Sequence, residues 1–329
     1  MTPDRIPQAP PPIDTVTGSG PRPLWSIMIP TYNCYAYLQQ TITSVLAQDA
    51  GNVLMQIEVV DDCSTDGDVE QLVKTVGQGR VSFYRQQQNS GSLRNFETCI
   101  QRARGQYIHI LHGDDAVLPG FYPEIQTLFD TNPAAGAAFT GLSAIDETGL
   151  VLYHNNTVQP QPGIIADWLT RIARAQYLRT CAIVVKREVY EKLGGYFAVH
   201  YGEDWEMFVR IAANYPVAYS PKNLALYRLH TNNISTRSLA TGQNIRDIRK
   251  VIDIIQGYLP KEQRREIKRD ARRTFAHYFT SHAQGIYKQH QDGTVALAQA
   301  KGALRLHFDK KTLVSVIRLY AKILLRSKS

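Results

Sequence analysis

Four short polar stretches hold the residue types that phosphate, metal and acid–base chemistry require. They are Pro30-Thr31-Tyr32-Asn33, Asp61-Asp62-Cys63-Ser64-Thr65-Asp66, Asn89-Ser90-Gly91-Ser92-Leu93-Arg94-Asn95 and His112-Gly113-Asp114-Asp115. Carboxylates alone repel a phosphate, but a hard divalent cation between an Asp oxygen and a diphosphate reverses the sign of that interaction. Asp114 is the candidate for such a cation, and Arg94 could neutralise phosphate directly. Asp61 and Asp62, acceptors only when ionised, suit hydrogen bonds from a nucleobase N–H and a ribose hydroxyl. The second stretch also reads as a turn and helix cap, because Ser64, Thr65 and Asp66 are good N-cap residues before the apolar run at Val69.

Each stretch follows a short apolar run: WSIMIP, MQIEVVD, VSFYR and YIHILH. Amphipathic stretches lie between them, YLQQTITSVLAQ, VEQLVKTV and Leu93 to Arg104. Such alternation predicts a largely parallel sheet with helices on both faces. Ligands in such sheets bind beyond the carboxyl ends of the strands, so the four polar exits should converge on one crevice. Further on, the spacing predicts a helix from Pro119-Gly120 through Phe129, a hairpin from AAFTGLSAID and GLVLYH, a strand and helix in CAIVVKREVYEKLGG, and a short helix from Asp204 to Ala213. Beyond Ala240 the pattern gives three or four basic helices. The last is amphipathic, with Leu313, Val316, Ile317, Tyr320, Ile323 and Leu324 at helical spacing.

Composition bounds these readings. A chain of 329 residues, 43% hydrophobic and 20% charged, is neither disordered throughout nor a polytopic membrane protein. Four scattered cysteines and no CxxC pair argue against a disulfide scaffold or a zinc site and suit a reducing compartment. No apolar run approaches the roughly 20 residues that cross a bilayer, and no secretory signal opens the chain, so a cytoplasmic location is expected. Residues 240–329 carry 19 Lys and Arg against 7 Asp and Glu, whereas residues 1–239 carry 18 against 22. The basic end reads either as a solvated face or as a contact for the anionic inner face of the plasma membrane. Nucleic acid is not expected, since Glu266 and Asp270 interrupt RREIKRDARR and no base-reading module accompanies it. Residues 1–23, with seven prolines and no periodicity, read as a disordered leader. A dinucleotide dehydrogenase is disfavoured because no GxGxxG follows an early strand. A nucleotidyltransferase is disfavoured because PTYNCY offers neither glycine nor lysine.

Six segments in order resemble the family-two glycosyltransferases, inverting enzymes of GT-A fold that use nucleotide sugars. They are PTYN, VVDDCSTD, NSGSLRN, YIHILHGDD in the place of an Asp-x-Asp motif, Gly202-Glu203-Asp204-Trp205 and Tyr227-Arg228-Leu229-His230. The resemblance covers about residues 24 to 235. It implies an α/β, Rossmann-like GT-A domain with a mostly parallel sheet over 24–238 and a C-terminal helical extension over 239–329. Pro30, Thr31, Tyr32 and Asn33 would border the nucleoside, and Asp61 would meet the base with Asp62 beside it. Asn89, Gly91, Arg94 and Asn95 would shape the wall near ribose and diphosphate, with His112 and Gly113 next to them. Asp114 would bind Mg²⁺ or Mn²⁺, and His230 would complete the metal or diphosphate site with Arg228 nearby. Asp204 would be the catalytic base, beside Glu203. His112 departs from the motif by replacing its first Asp; it could instead contact the sugar or ribose. The implied activity is transfer from a nucleotide-sugar donor, most simply a UDP-sugar, to a glycan or lipid-linked acceptor in cell-surface polysaccharide synthesis. A noncatalytic nucleotide-binding scaffold subunit is the alternative.

Overall fold

The computed structural model describes residues 5–17, 20–230, 238–239 and 241–326. They form two compact units. The first comprises the chain up to Trp168 together with Tyr177–Ala198 and Asn214–His230. Its strands β1 (Trp25–Thr31), β2 (Met55–Asp61), β3 (Ser82–Arg85) and β4 (Tyr107–Ile110) alternate with helices α1 (Tyr35–Leu46), α2 (Val69–Gly77) and α3 (Ser92–Arg102). β5 (Ala116–Val117), α4 (Phe121–Thr131), β6 (Ala137–Ile145), β7 (Val151–His154), β8 (Gly163–Ile164), α5 (Trp168–Ile172), β9 (Ile183–Lys186) and α6 (Arg187–Leu193) follow. Then come α7 (Glu203–Ala212) and β10 (Val217–Arg228).

The sheet runs β3-β2-β1-β4-β9-β6-β10-β5, with β7 on β6 and β8 on β10. The first four strands are parallel, Ile27 pairing with Ile57 on one side and His109 on the other. β1 is buried at all seven positions, as befits a strand between two parallel neighbours with helices on both faces. The expected βαβ series is therefore present. β9, far along the chain, enters antiparallel between β4 and β6.

Residues 5–17 differ from the expected leader. Ala198 N donates to Pro7 O at 2.9 Å, Gly195 N to Pro11 O at 2.8 Å and Gln101 Nε2 to Pro12 O at 3.0 Å. Arg187, itself 2% exposed, donates to Asp14 O at 2.8 Å, and Ile13 is 5% exposed. Proline composition conceals this order in the sequence, yet a φ already fixed leaves less entropy to lose on docking. The rest of the expected leader divides: residues 1–4, 18 and 19 lie outside the described residues.

The second unit comprises Leu169–Gln176, Val199–Ala213 and the chain beyond His230. This partition differs from a single cut at residue 238, because the Glu203–Ala212 helix packs with the later helices. Trp205, fully buried, donates from Nε1 to Ile172 O at 2.7 Å and sets its ring 4.6 Å from that of Phe275. The basic region forms α8 (Gln243–Ile255), α9 (Arg264–His290), α10 (Gly293–Leu306) and α11 (Lys310–Arg326). Val316 and Leu319 of α11 pack with Ala283, Tyr287, Ala296 and Ala300. Val316, Tyr320 and Ile323 of its apolar stripe are thus spent on the helical core, while Ile317, Leu324 and the adjoining Leu325 remain exposed. Among the described residues, no helix is long and apolar enough to cross a membrane.

Candidate functional site

The first two strand exits are laced together. Asn33, in the left-handed region at φ 50°, accepts Thr65 N on its Oδ1 at 2.8 Å, and its own N–H donates to Ser64 Oγ at 3.0 Å. Asp66 accepts Tyr35 N at 2.8 Å, so it serves the start of α1, whereas Asp68 caps α2 through Gln71 N. This replaces the cap expected from Ser64, Thr65 or Asp66. Pro30 and Thr31 are buried, and Tyr32 is exposed.

The carboxylate pair at the second exit faces inward. Asp61, fully buried, accepts Ser64 N and Oγ and pairs with Arg85 Nη1 at 2.7 Å. Asp62 accepts Ser90 N at 2.7 Å, Ser90 Oγ at 2.8 Å, Gly91 N at 2.8 Å and Asn89 Nδ2 at 3.0 Å. Both carboxylates therefore hold loops, and neither has the open acceptor positions expected for a base or ribose. Asn95 is likewise 2% exposed and donates to Val60 O at 2.9 Å. Arg94 pairs with Glu97 at 2.7 Å.

The fourth exit is arranged differently. Gly113 must lack a side chain, since a Cβ there would lie 2.8 Å from Cys34 Sγ and from Thr31 Oγ1. Thr41 Oγ1 of α1 reaches Gly113 O at 3.0 Å and Asp115 O at 2.7 Å. Asp114 Oδ2 meets His230 Nε2 at 2.9 Å. Burial alone would raise the Asp114 carboxyl, but the His230 hydrogen bond and the neighbouring imidazoles of His112 and His230 outweigh it and hold it below its ordinary value. Asp115, 1% exposed, is pushed well above its ordinary value by burial and then by the Asp114 charge. It still accepts Arg228 N at 2.9 Å. His112 stacks on Phe96, ring centroids 5.2 Å apart and 6° from parallel.

The ligand atoms of His112, Asp114 and Asp115 lie within 4.8 Å of one another. An imidazole with two carboxyls fits Mn²⁺ more readily than Mg²⁺, which favours oxygen ligands and retained water. His230 touches Asp114 as a hydrogen-bonding partner, the arrangement by which an outer group orients a ligating carboxylate. Arg228, 2% exposed, does not present its guanidinium outward. It donates to Asp114 O at 2.9 Å, Asp146 O at 2.8 Å and Gln40 Oε1, with its plane 4.8 Å from the Tyr37 ring.

Glu203 and Asp204 belong to the second unit. Gly202, at φ 91°, starts their helix with the backbone in a conformation that favours glycine. Asp204 accepts Gln176 Nε2 at 2.7 Å. Glu203 is pushed well above its ordinary value by burial and then by the Asp204 charge. Gln40, Thr41, Ser64, Arg85, Phe96 and Gln176 are supports that sequence reading missed. No motif marks them except Ser64, which lies in VVDDCSTD but reads there only as a cap; Thr41 and Gln40 fall on the helix that follows the first polar exit.

A family model described as glycosyl transferase family 2 matches residues 26–194. Protein MT1568 of Mycobacterium tuberculosis is 26% identical over 243 residues, covering 70% of this chain and 75% of that protein. The putative teichuronic acid biosynthesis glycosyltransferase TuaG of Bacillus subtilis is 32% identical over 133 residues, 40% of this chain and 51% of TuaG. S. aureus TarS 1–349 with UDP-GlcNAc superposes at a TM-score of 0.66, with 14% identity over 91% of this chain and 90% of that one. The mannosyltransferase PcManGT of Pyrobaculum calidifontis with GDP-Man and Mn²⁺ gives 0.56, with 16% identity over 97% and 84%. These two likenesses bear on the fold.

Proposed function

The chain belongs to glycosyl transferase family 2 and is a glycosyltransferase, and we propose that it transfers a sugar, with inversion, from a UDP-sugar to a hydroxyl of a glycan or lipid-linked oligosaccharide in cell-surface polysaccharide synthesis. The observation that carries this reading is the fourth strand exit, where a carboxylate held ionised by His230 stands beside His112 and Asp115. The names of TuaG and of the UDP-GlcNAc-bound TarS support the donor and the pathway class.

In this mechanism Asp114 and His112, with Asp115 adjacent, would hold Mn²⁺ or Mg²⁺. The cation, when bound, offsets the charge that develops on the departing diphosphate. His230 keeps Asp114 deprotonated and aimed. Arg228 fixes the Asp114 backbone from behind, so its contribution to catalysis is rigidity in the loop. Asn89, Gly91 and Arg94 would border ribose and diphosphate. Asp204, oriented by Gln176, would take the acceptor hydroxyl's proton as the anomeric carbon is attacked from the face opposite the nucleotide. Glu203 beside it, biased toward its neutral form, spares Asp204 a second full charge. A general base of this kind contributes roughly 10² to 10⁴-fold. The donor sugar is a hexose or N-acetylhexosamine.

The test measures UDP release from a panel of UDP-sugars with extracted lipid acceptors, with and without Mn²⁺. Asp204→Asn is expected to lose about 10² to 10⁴-fold in kcat while UDP still raises the melting temperature. Normal turnover by that variant would remove Asp204 from the base role, and a wild type that UDP stabilises but that releases no UDP from any donor would favour the scaffold alternative.

We further propose that α11 rests on the inner face of the plasma membrane through Ile317, Leu324 and Leu325, with Arg318 and Lys322 alongside. Flotation with anionic liposomes should weaken as salt rises and after Leu324→Glu with Leu325→Glu. Unchanged flotation of that double variant would reject the helix as the anchor.

A further inference from the structure

Asn89 stands at the wall assigned above to the nucleotide, and both ends of its amide are engaged. Nδ2 donates to Asp62 Oδ2 at 3.0 Å and to Asp62 O at 3.1 Å, while Oδ1 accepts from Arg5 Nη2. An amide between a carboxylate and a guanidinium has one favourable orientation, because flipping it would set NH₂ against the cation and oxygen against the anion. Arg5 also lies along Gly91. A Cβ on Gly91 would come 3.0 Å from Arg5 Nε and 3.5 Å from Arg5 Nη2, and the backbone there has a φ of 90°. Glycine thus meets two requirements at once, a left-handed turn and room for a side chain from the far end of the sequence.

The segment bearing Arg5 is fastened along its length. Pro7 O, Pro11 O, Pro12 O and Asp14 O each accept a hydrogen bond from Ala198, Gly195, Gln101 and Arg187 in turn. Asp14 N donates to Gln101 Oε1 at 3.2 Å. Gly194 allows close approach, since a Cβ on it would stand 2.8 Å from Pro10 Cβ and from Pro11 O. A strap held at so many points does not lift off with the loss of one contact, which favours a fixed wall over a removable cover.

We propose that residues 5–17 are a built-in wall of the nucleotide site, and that Arg5 is a positioning residue that locks Asn89 for the donor and adds a fixed positive charge beside it. The proposal rests on the donor-site reading given above. Arg5 is exposed, so replacing it leaves the core intact.

Calorimetric titration of UDP with Mn²⁺, together with donor kinetics, on the full chain and on Arg5→Ala, Arg5→Lys and Ile13→Asp tests it. Arg5→Ala should raise the UDP Kd and the donor KM about tenfold, with kcat changed by less than about twofold, the loss of one charge-assisted hydrogen bond. Arg5→Lys should restore the salt dependence of binding and only part of the affinity, because an ammonium lacks the planar fork. Ile13→Asp does more than remove a contact, because it forces an ionised carboxylate into a buried apolar seat and so displaces the strap's other end; it should reproduce the loss. Unchanged Kd and KM in Arg5→Ala would overturn the proposal, and tighter UDP binding would overturn it too, by making Arg5 a cover. A wild type that binds no nucleoside diphosphate overturns the donor-site reading itself and the strap with it, an outcome distinct from wild-type binding that the variants leave unaltered.

Discussion

Two Asp-Asp pairs, at 61–62 and at 114–115, sit at the ends of parallel strands in the same sheet, yet the fold uses them in opposite ways. The first pair is saturated: Asp61 by Ser64 and Arg85, Asp62 by Asn89, Ser90 and Gly91. The second pair is divided, with Asp114 drawn below the ordinary carboxyl range and Asp115 pushed above it. Burial raises both members of the second pair. The difference arises because imidazoles surround Asp114, whereas Asp115 faces the charge of Asp114 itself. Identical dipeptides therefore become a saturated loop support in one place and a pair split between a lowered and a raised carboxyl in the other, according to which groups the neighbouring loops supply.

That contrast makes the expected consequences of substitution separable. The largest concerns function: Asp114→Asn should lower turnover roughly 10³-fold and abolish the Mn²⁺-dependent rise in melting temperature with UDP, while stability without ligand falls only by what the contact with His230 contributed. Retained metal-dependent stabilisation in that variant would show that Asp114 holds no cation. Asp62→Ala should act on the fold instead, costing about 3 kcal/mol in denaturant unfolding because several buried donors lose an ionised acceptor. Wild-type stability in that variant would mean that the 89–91 loop does not depend on the carboxylate.

Acid should sharpen the picture from beneath the fourth exit. His109 in β4 is fully buried between Cys181 O at 3.0 Å and Tyr122 Oη at 3.3 Å, and burial pushes its imidazole down to about 4. The unfolded chain then binds a proton that the folded chain refuses. Stability is complete above the unfolded value of 6.5 and falls as pH drops toward 4, by about 3 kcal/mol over that window. Chemical denaturation at stepped pH reads this directly, and a curve for His109→Phe parallel to wild type would refute it. The smallest effect is at Asp115. A raised carboxyl favours the fold fully below its unfolded value of 3.8 and progressively less as pH rises. Asp115→Asn, which retains an acceptor for Arg228 N, should therefore stabilise the fold at neutral pH and change nothing near pH 3. A loss at neutral pH would show that the ionised form is needed.

Much of the sheet was legible because short apolar runs and period-3.6 amphipathic stretches alternate from Trp25 to Ile110, and strand ends in parallel sheets locate ligand sites by topology. Asp61, Asp62, Asn89 and Asp114 were picked out by residue type and place, and His230 by the resemblance of Tyr227-Arg228-Leu229-His230 to a family segment. Their partners were not, since Arg85, Thr41 and Gln40 belong to other elements and carry no motif. The strap was misread for a physical reason: proline-rich composition reports weak local structure, and the partners that fasten it, Gln101, Arg187 and the close approach at the glycines 194 and 195, lie far along the chain.

The sequence by itself determined the family, the α/β order and the four polar exits, because these depend on local periodicity and on motifs that sit within a few residues. Only the tertiary structure decided which carboxylates are spent on loops, that Arg228 is buried behind Asp114, that the Glu203–Ala212 helix joins the helical unit, and that Arg5 reaches Asn89. Those outcomes turn on which donors and acceptors meet across tens to hundreds of residues. Burial multiplies the consequence of each such meeting, and no local pattern encodes it.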